Sequence, residues 1–226
     1  MFFYFALIGA LTIWLRSLTV DKRERYQDTA VAIGLIVFTL LMTWPEQATT
    51  YLHPHTMDAA FAATDKWLHL DAAATGIWVY AHFAWFAHLL EAVYYALPLM
   101  MAGAYAIERN LMIPRTALFG GIAAYPFYNL YPAVGPAHAF SGIGPRNCMP
   151  SMHFSWALLV AINCKNPWLK AGAWTFFALT AMSTIVCGEH YFIDLFAAVP
   201  FCYAVQAISK EFHAVAKKIQ PAAAYR

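Results

Sequence analysis

Seven apolar stretches divide the chain, at about residues 2–20, 29–45, 85–106, 115–132, 152–164, 168–188 and 191–209. Runs of this kind predict helices that cross a bilayer, for which about 20 apolar residues are needed. Hydrocarbon leaves no backbone polar group a water partner, so such a chain resolves into α-helices. The fifth stretch is the shortest; Pro150 stands just before it, where a missing N–H does no harm to a helix start. The first begins at Met1-Phe2-Phe3 with no basic leader and no small-residue cleavage site, so it reads as a retained span.

The connection over 46–84 is more than loop. Trp67-Leu68-His69-Leu70 and Ile77-Trp78-Val79-Tyr80 flank an alanine-rich run, which suits a helix lying at the membrane interface. His53 and His55 precede it; with no carboxylate or cysteine at partner spacing they read as loop histidines. The third stretch carries His88 and Glu91, three apart and so on one helix face. Ionisable groups in a span mark either a substrate cavity or a structural interhelical bond. The fourth ends in Tyr125-Pro126-Phe127-Tyr128-Asn129-Leu130-Tyr131-Pro132 and is followed by the connection 133–138; Pro126, Pro132, Gly135 and Pro136 preclude a regular helix there. Tyr128, Asn129 and Tyr131 suit a polar cavity or an interfacial aromatic belt equally.

Composition agrees with the pattern. Hydrophobic residues are 62% and charged residues 12%, against about 45–50% and about 25% in soluble domains. The expected organisation is a single membrane domain, 1–226: an extra N-terminal span and inner loop over 1–28, a helical core over 29–209, and a basic tail over 210–226. A net charge of +2 and the lack of a basic patch with interleaved aromatics imply no nucleic-acid partner. The four cysteines have no metal spacing. Cys148 and Cys187 fall near each other in the topology that follows, and their pairing stays open.

Charge then orients the spans. With the N-terminus outside, the inner connections hold Arg16, Lys22, Arg23, Arg25, Arg109, Arg115, Lys165 and Lys170, and the tail adds Lys210, Lys217, Lys218 and Arg226. Only Lys66 and Arg146 of the 14 basic residues remain outside, so 12 lie inside, a strong positive-inside bias. The expected location is the inner or plasma membrane.

Two polar clusters stand at the mouths of apolar stretches on the outer side. One is Pro145-Arg146-Asn147-Cys148-Met149-Pro150-Ser151-Met152-His153. The other, Glu189-His190-Tyr191-Phe192-Ile193-Asp194, places His190 37 residues after His153. His190 and Asp194, four apart, can share a helix face. A carboxylate on one imidazole nitrogen leaves the other as a nucleophile, and a second histidine can protonate a leaving group. Helix N-termini and the Arg146 fork favour an anion. These features describe a metal-independent phosphoryl-transfer site on the outer face (periplasm or lumen), with structural polar caps as the rival reading.

Pro150-Ser151-Met152-His153 together with Ser183, His190 and Asp194 resembles the second and third motifs of the type 2 phosphatidic acid phosphatase superfamily, Pro-Ser-Gly-His and Ser-Arg-x5-His-x3-Asp. Met152 replaces the motif glycine, Thr184 replaces the motif arginine, and the Lys-x6-Arg-Pro motif has no counterpart. Pro-Arg-Asn before Pro-Ser-Met-His, and His-Tyr-x2-Asp, resemble the bacterial branch related to inositol phosphorylceramide synthases. The resemblance covers roughly 85–205. It implies a six-helix core, with the first span as an addition. It further implies His190 as the nucleophile forming a phosphohistidine, Asp194 as its orienting partner, His153 as the acid and then base, and Ser151 as a phosphate donor. Arg146 is the candidate for the missing arginine, and Asn147 either donates to the same phosphate or forms a turn. The implied partner is a membrane lipid: a lipid phosphate, a prenyl pyrophosphate or a phosphodiester lipid. No cofactor is expected. Hydrolysis of a lipid phosphate stands slightly ahead of headgroup transfer between lipids. A transporter, or a scaffold without chemistry, is the reading from another class.

Overall fold

Residues 152–163 are apolar almost all round, and a helix of that kind must be enclosed by others. The structure, a computed structural model, describes residues 2–139 and 144–223, with side chains over 3–139 and 144–215. Its described residues are all-helical. The helices are α1 (Phe2–Ser17), α2 (Lys22–Leu52), α3 (Asp58–Trp67), α4 (Ala72–His82), α5 (Ala84–Tyr95), α6 (Leu97–Glu108), α7 (Met112–Leu130), α8 (Met152–Asn163), α9 (Pro167–Val186) and α10 (Phe192–Ala223). α8 is the central one, with Met152, Phe154 to Ala161 and Asn163 buried against α6, α7, α9 and α10.

All seven apolar stretches become helical, but not as seven full spans. α2, α9 and α10 are long and apolar enough to cross a membrane, and α5 with α6, bent by 56°, make a fourth if taken as one span. α1 and α8 are apolar but shorter. The 12 residues of α8 rise only about 18 Å, against a hydrocarbon thickness of about 30 Å. Surrounded by neighbouring helices, α8 has no need to reach both faces. α7 is long enough at 19 residues, but Arg115, Pro126 and Asn129 interrupt its apolar character.

The connection over 46–84 also differs from expectation. α2 runs on through Pro45 to Leu52, and two helices follow in place of the single interfacial helix. α3 turns its buried Asp58 and Asp65 inward. α4 packs on α9 so closely that a Cβ on Gly76 would lie 2.9 Å from the Val186 carbonyl. All four cysteines are free thiols, so Cys148 and Cys187 are not paired.

The bundle has two polar ends. At one, Asp28 is fully buried and accepts from Tyr105 at 2.9 Å and from Arg109 Nη2 at 3.1 Å, while Arg109 also pairs with Glu24. Near it, Asn163 and Gln206 exchange reciprocal amide bonds of 2.9 and 3.0 Å between α8 and α10. The Glu108 carboxylate accepts from the backbone N–H groups of Lys165 and Asn166. Arg115 and His213 are in contact at this end. The expected cations Lys217, Lys218 and Arg226 lie outside the described side chains. The C-terminal part of α2, the N-terminal parts of α6 and α8, and the C-terminus of α7 converge on the opposite end.

Candidate active site

The second histidine cluster is held by a turn that glycine makes possible. Thr184, at the end of α9, offers its carbonyl to the N–H groups of Glu189 and His190, both at 3.1 Å. Gly188 takes φ +71° within that turn. The turn interlocks with the 133–138 loop through an Ala137 N–H to Gly188 carbonyl bond of 2.8 Å. Gly135, at φ +91°, sits so close that a Cβ there would be 2.3 Å from the Glu189 carbonyl. Only glycine meets both demands at once.

Asp194, in the first turn of α10, is fully buried. Its Oδ2 accepts from the Tyr191 N–H at 2.8 Å and from the Cys148 thiol at 2.8 Å, and lies 3.5 Å from His190 Nδ1. Its Oδ1 has no hydrogen-bond partner among the described residues. The 3.5 Å separation exceeds an ordinary N–H···O bond. The Cys148 thiol is pushed well above its ordinary pKa by burial and by Asp194 beside it. Cys148, His190 and Asp194 offer ligand atoms within 4.8 Å of one another, a set suited to a soft divalent ion. The raised thiol pKa opposes the thiolate that such an ion requires.

α3 anchors this end of α10. Asp65 accepts from the Phe192 N–H at 2.8 Å and the Ile193 N–H at 3.0 Å, taking up two of the unpaired donors of the helix start. Asp58 accepts from the Tyr191 hydroxyl at 3.1 Å and the Gly135 N–H at 3.0 Å, tying α3, the 133–138 loop and His190's neighbour together. Burial and Asp58 raise the Tyr191 phenol, so it stays a donor.

His153 enters from α8. Ser151 is the N-cap, its hydroxyl accepting from the Phe154 N–H at 3.4 Å. The Ser151 N–H in turn reaches the Asp194 carbonyl at 3.4 Å, which joins the two helix starts. The His153 ring stacks on Tyr94 with centroids 3.8 Å apart. Trp156, one turn on, donates to the Ala117 carbonyl at 3.0 Å and fixes α8 to α7. Met152, in place of a motif glycine, packs toward Gly120, where a Cβ would lie 3.2 Å from its terminal methyl.

His153 and His190 line one cavity of about 240 Å³. Tyr128 and Asn147 line it with them, as do Tyr94, Glu46 and Glu189. The other expected residues lie elsewhere. Arg146 is buried, with Nε donating to the His53 carbonyl at 3.1 Å and Nη1 to the Gly144 carbonyl at 2.6 Å. It thus clamps the motif loop onto the end of α2, and it is absent from the described lining. Ser151 caps α8 through its oxygen and is also absent from the described lining. Asn129 Oδ1 accepts from His53 Nε2 at 2.9 Å; Tyr131 is exposed. His88 and Glu91 pair with each other at 3.5 Å on an exposed face of α5, with side chains 70% and 45% accessible. Neither borders the cavity. Their i, i+3 spacing is met by a local pair.

Four residues escape the sequence pattern. The apolar stretch ends at Pro45, which puts Glu46 in a loop; the helix in fact runs on, and Glu46 faces the cavity, hydrogen-bonded to Asn147. Asp58 and Asp65 lie in a segment that reads as interfacial. Cys148 draws notice only for disulfide pairing. A carboxylate directly after an apolar run, at Glu46, is the one available signal.

A family model of the PAP2 superfamily matches residues 139–208. That segment contains Cys148, His153, His190 and Asp194, the groups that the structure draws together, and leaves out the α2, α3 and α6 walls. No curated protein and no solved structure matches the chain.

Proposed function

We propose that this all-α membrane protein is a lipid phosphate phosphatase working through a phosphohistidine on His190. The observation that carries the reading is that His190, with Asp194 at its Nδ1, lines the same cavity as His153. The PAP2 superfamily match over this segment supports a phosphatase or phosphotransferase activity. In the proposed reaction His190 Nε2 attacks phosphorus, and the bond to the leaving oxygen breaks. Asp194 stabilises the imidazolium that forms at Nδ1. His153 gives its proton to the leaving alcohol, then takes one from water as that water releases phosphate. Arg146 and Asn147 are proposed to hold the phosphate, which requires the Arg146 fork to leave its present carbonyl partners. Ser151 caps α8 through its oxygen and is proposed to donate its O–H to the phosphate.

The site is proposed to face outward. The basic residues Arg109, Arg115 and Lys165 gather at the opposite end of the bundle, and a positive-inside rule then puts the histidines outside.

A second reading has a specific observation behind it. The described cavity lining holds two carboxyls, Glu46 and Glu189, and no lysine or arginine. That lining disfavours a dianionic monoester and suits a phosphodiester whose headgroup carries hydroxyls or an ammonium, with a second lipid alcohol as acceptor. The test is direct. The detergent-purified protein and His190→Ala are offered lipid phosphates, prenyl pyrophosphates and phosphodiester lipids with excess chelator. Turnover by the wild type alone, unaffected by chelator, is expected. No turnover, equal activity in the variant, or loss with chelator overturns the mechanism.

A further inference from the structure

A second cavity of about 470 Å³ lies in a crevice between α2 and α7, floored by α1 and α6. Its walls are almost wholly aliphatic and aromatic: Val37 and Leu41 on α2, Leu118 and Ile122 on α7, with Ile13 of α1 behind. The four residues of the α2 and α7 walls are exposed, so the crevice opens sideways toward lipid. From Met42 to Ala30 it follows α2 for about 18 Å at 1.5 Å per residue. Its volume is that of a true ligand site, for which about 300–1,000 Å³ is usual.

The crevice continues the histidine cavity. Leu35, Phe38, Met42 and Met101 line both. Where they meet, the Phe38 ring fills a notch in α7 that only a glycine leaves. A Cβ on Gly121 would lie 2.4 Å from its tip, and Trp156 meets its face edge-on at 5.9 Å. The polar, histidine-bearing chamber and the apolar crevice are thus two rooms with one shared wall.

Resting on the proposed activity, we propose that this crevice binds a hydrocarbon chain of the membrane substrate. The phosphate sits between His153 and His190, the chain passes Phe38 and Met42, and it lies along α2 toward Arg115 at the far end. α1, the helix outside the six-helix core, then contributes to substrate binding, because Ile13 closes the back of the chain site. Chain length and saturation are selected here and headgroup chemistry in the polar chamber.

Gly34 provides the test. It lines the crevice, and a Cβ on it would meet nothing within 4 Å, so the side chain of Gly34→Phe starts into open space beside the crevice it is meant to fill. Gly103→Phe on α6, equally open and outside both cavities, controls for folding. The probe is a long-chain alkyl phosphate with a photoreactive group near the chain end, applied to the detergent-purified protein and mapped by peptide sequencing. Labelling should concentrate on the α2 and α7 peptides and be competed by long-chain but not short-chain alkyl phosphate. It should fall at least fivefold in Gly34→Phe and stay at the wild-type level in Gly103→Phe. Labelling spread evenly over the lipid-facing helices, or unchanged in Gly34→Phe, overturns the site. This readout does not need turnover, so a protein that labels as expected but hydrolyses nothing refutes the proposed reaction and keeps the chain site. Where turnover is measured, the preference for long over short chains should fall at least tenfold in Gly34→Phe.

Discussion

The Cys148 thiol donates to Asp194 Oδ2 at 2.8 Å, the same oxygen that faces His190 Nδ1 at 3.5 Å. With the Tyr191 N–H at 2.8 Å, one carboxylate oxygen therefore faces three donors, and each draws on the charge that the others need. In Cys148→Ala the carboxylate is left to the imidazole and the Tyr191 N–H, and it holds an imidazolium more firmly. The imidazolium that forms during attack is then better stabilised, and kcat/KM should rise by up to about tenfold, the worth of one hydrogen bond. Cys148→Ser, which restores a donor, should return kcat/KM toward the wild-type value. An unchanged kcat/KM in Cys148→Ala would show that the thiol does not tune the pair.

Removal of the two histidines should differ in kind. His190→Ala loses the proposed nucleophile and should lower turnover by at least about a thousandfold. His153→Gln loses proton transfer, a factor of about 10²–10⁴, yet leaves an attacking nitrogen. It should accumulate acid-labile, base-stable phosphoprotein when offered a substrate with a good leaving group. Mass spectrometry placing phosphate anywhere but His190 would reject the assignment.

How far these residues can be read from the sequence depends on distance along the chain. His153, His190 and Asp194 sit at helix starts, where a polar cluster against an apolar run is conspicuous, and they do line or border one cavity. Asn147 and Tyr128 also reach it. Arg146 stands out for its charge, but the pattern cannot show that two backbone carbonyls hold its fork. Glu46 and Asp65 come from segments 99 and 80 residues before Pro145, where the first cluster starts, and only packing brings them there. The helix count suffers for a related reason: apolarity marks burial as well as membrane contact, and α8 is apolar because other helices enclose it.

Glu46 distinguishes the two substrate readings. It lines the cavity with Asn147 as its partner. If it receives headgroup hydroxyls or an ammonium, Glu46→Gln should lower kcat/KM for phosphodiester lipids by about tenfold, the worth of one hydrogen bond to a charged group. The same change removes a repulsion against monoesters and should raise their kcat/KM. A fall for both substrates would make Glu46 a structural residue and remove the support for the phosphodiester reading.

Asp65 holds the start of α10. Its two bonds to Phe192 and Ile193 cap α10, so Asp65→Ala should cost about 1 kcal/mol and lower the unfolding temperature in detergent. Burial raises the Asp65 carboxyl above its ordinary range, against the pull of those two N–H groups. The folded protein therefore holds this proton to higher pH than the unfolded chain does. The associated stability is complete below the ordinary aspartate range and is lost as pH rises through the raised value. Asp65→Asn removes that titration, so its unfolding temperature relative to wild type should rise from acid to neutral pH. A difference independent of pH would contradict the raised value.

Sidedness can be decided at two exposed tryptophans. Trp67, at the end of α3, is 79% accessible and lies on the helix whose Asp65 holds the start of α10 near His190. Trp168 is 88% accessible and lies in the first turn of α9, beside the Glu108 clamp at the opposite end. Cys148, Cys164 and Cys202 are buried, so the native background is confined largely to Cys187, which Cys187→Ser removes. In that background a membrane-impermeant thiol reagent applied to intact cells should label Trp67→Cys, and should label Trp168→Cys only after permeabilisation. An outward site also means that substrate must reach the outer leaflet before Phe38 and the histidines can receive it. The reverse labelling pattern would place the chemistry on the cytoplasmic face and set the positive-inside argument aside for this chain.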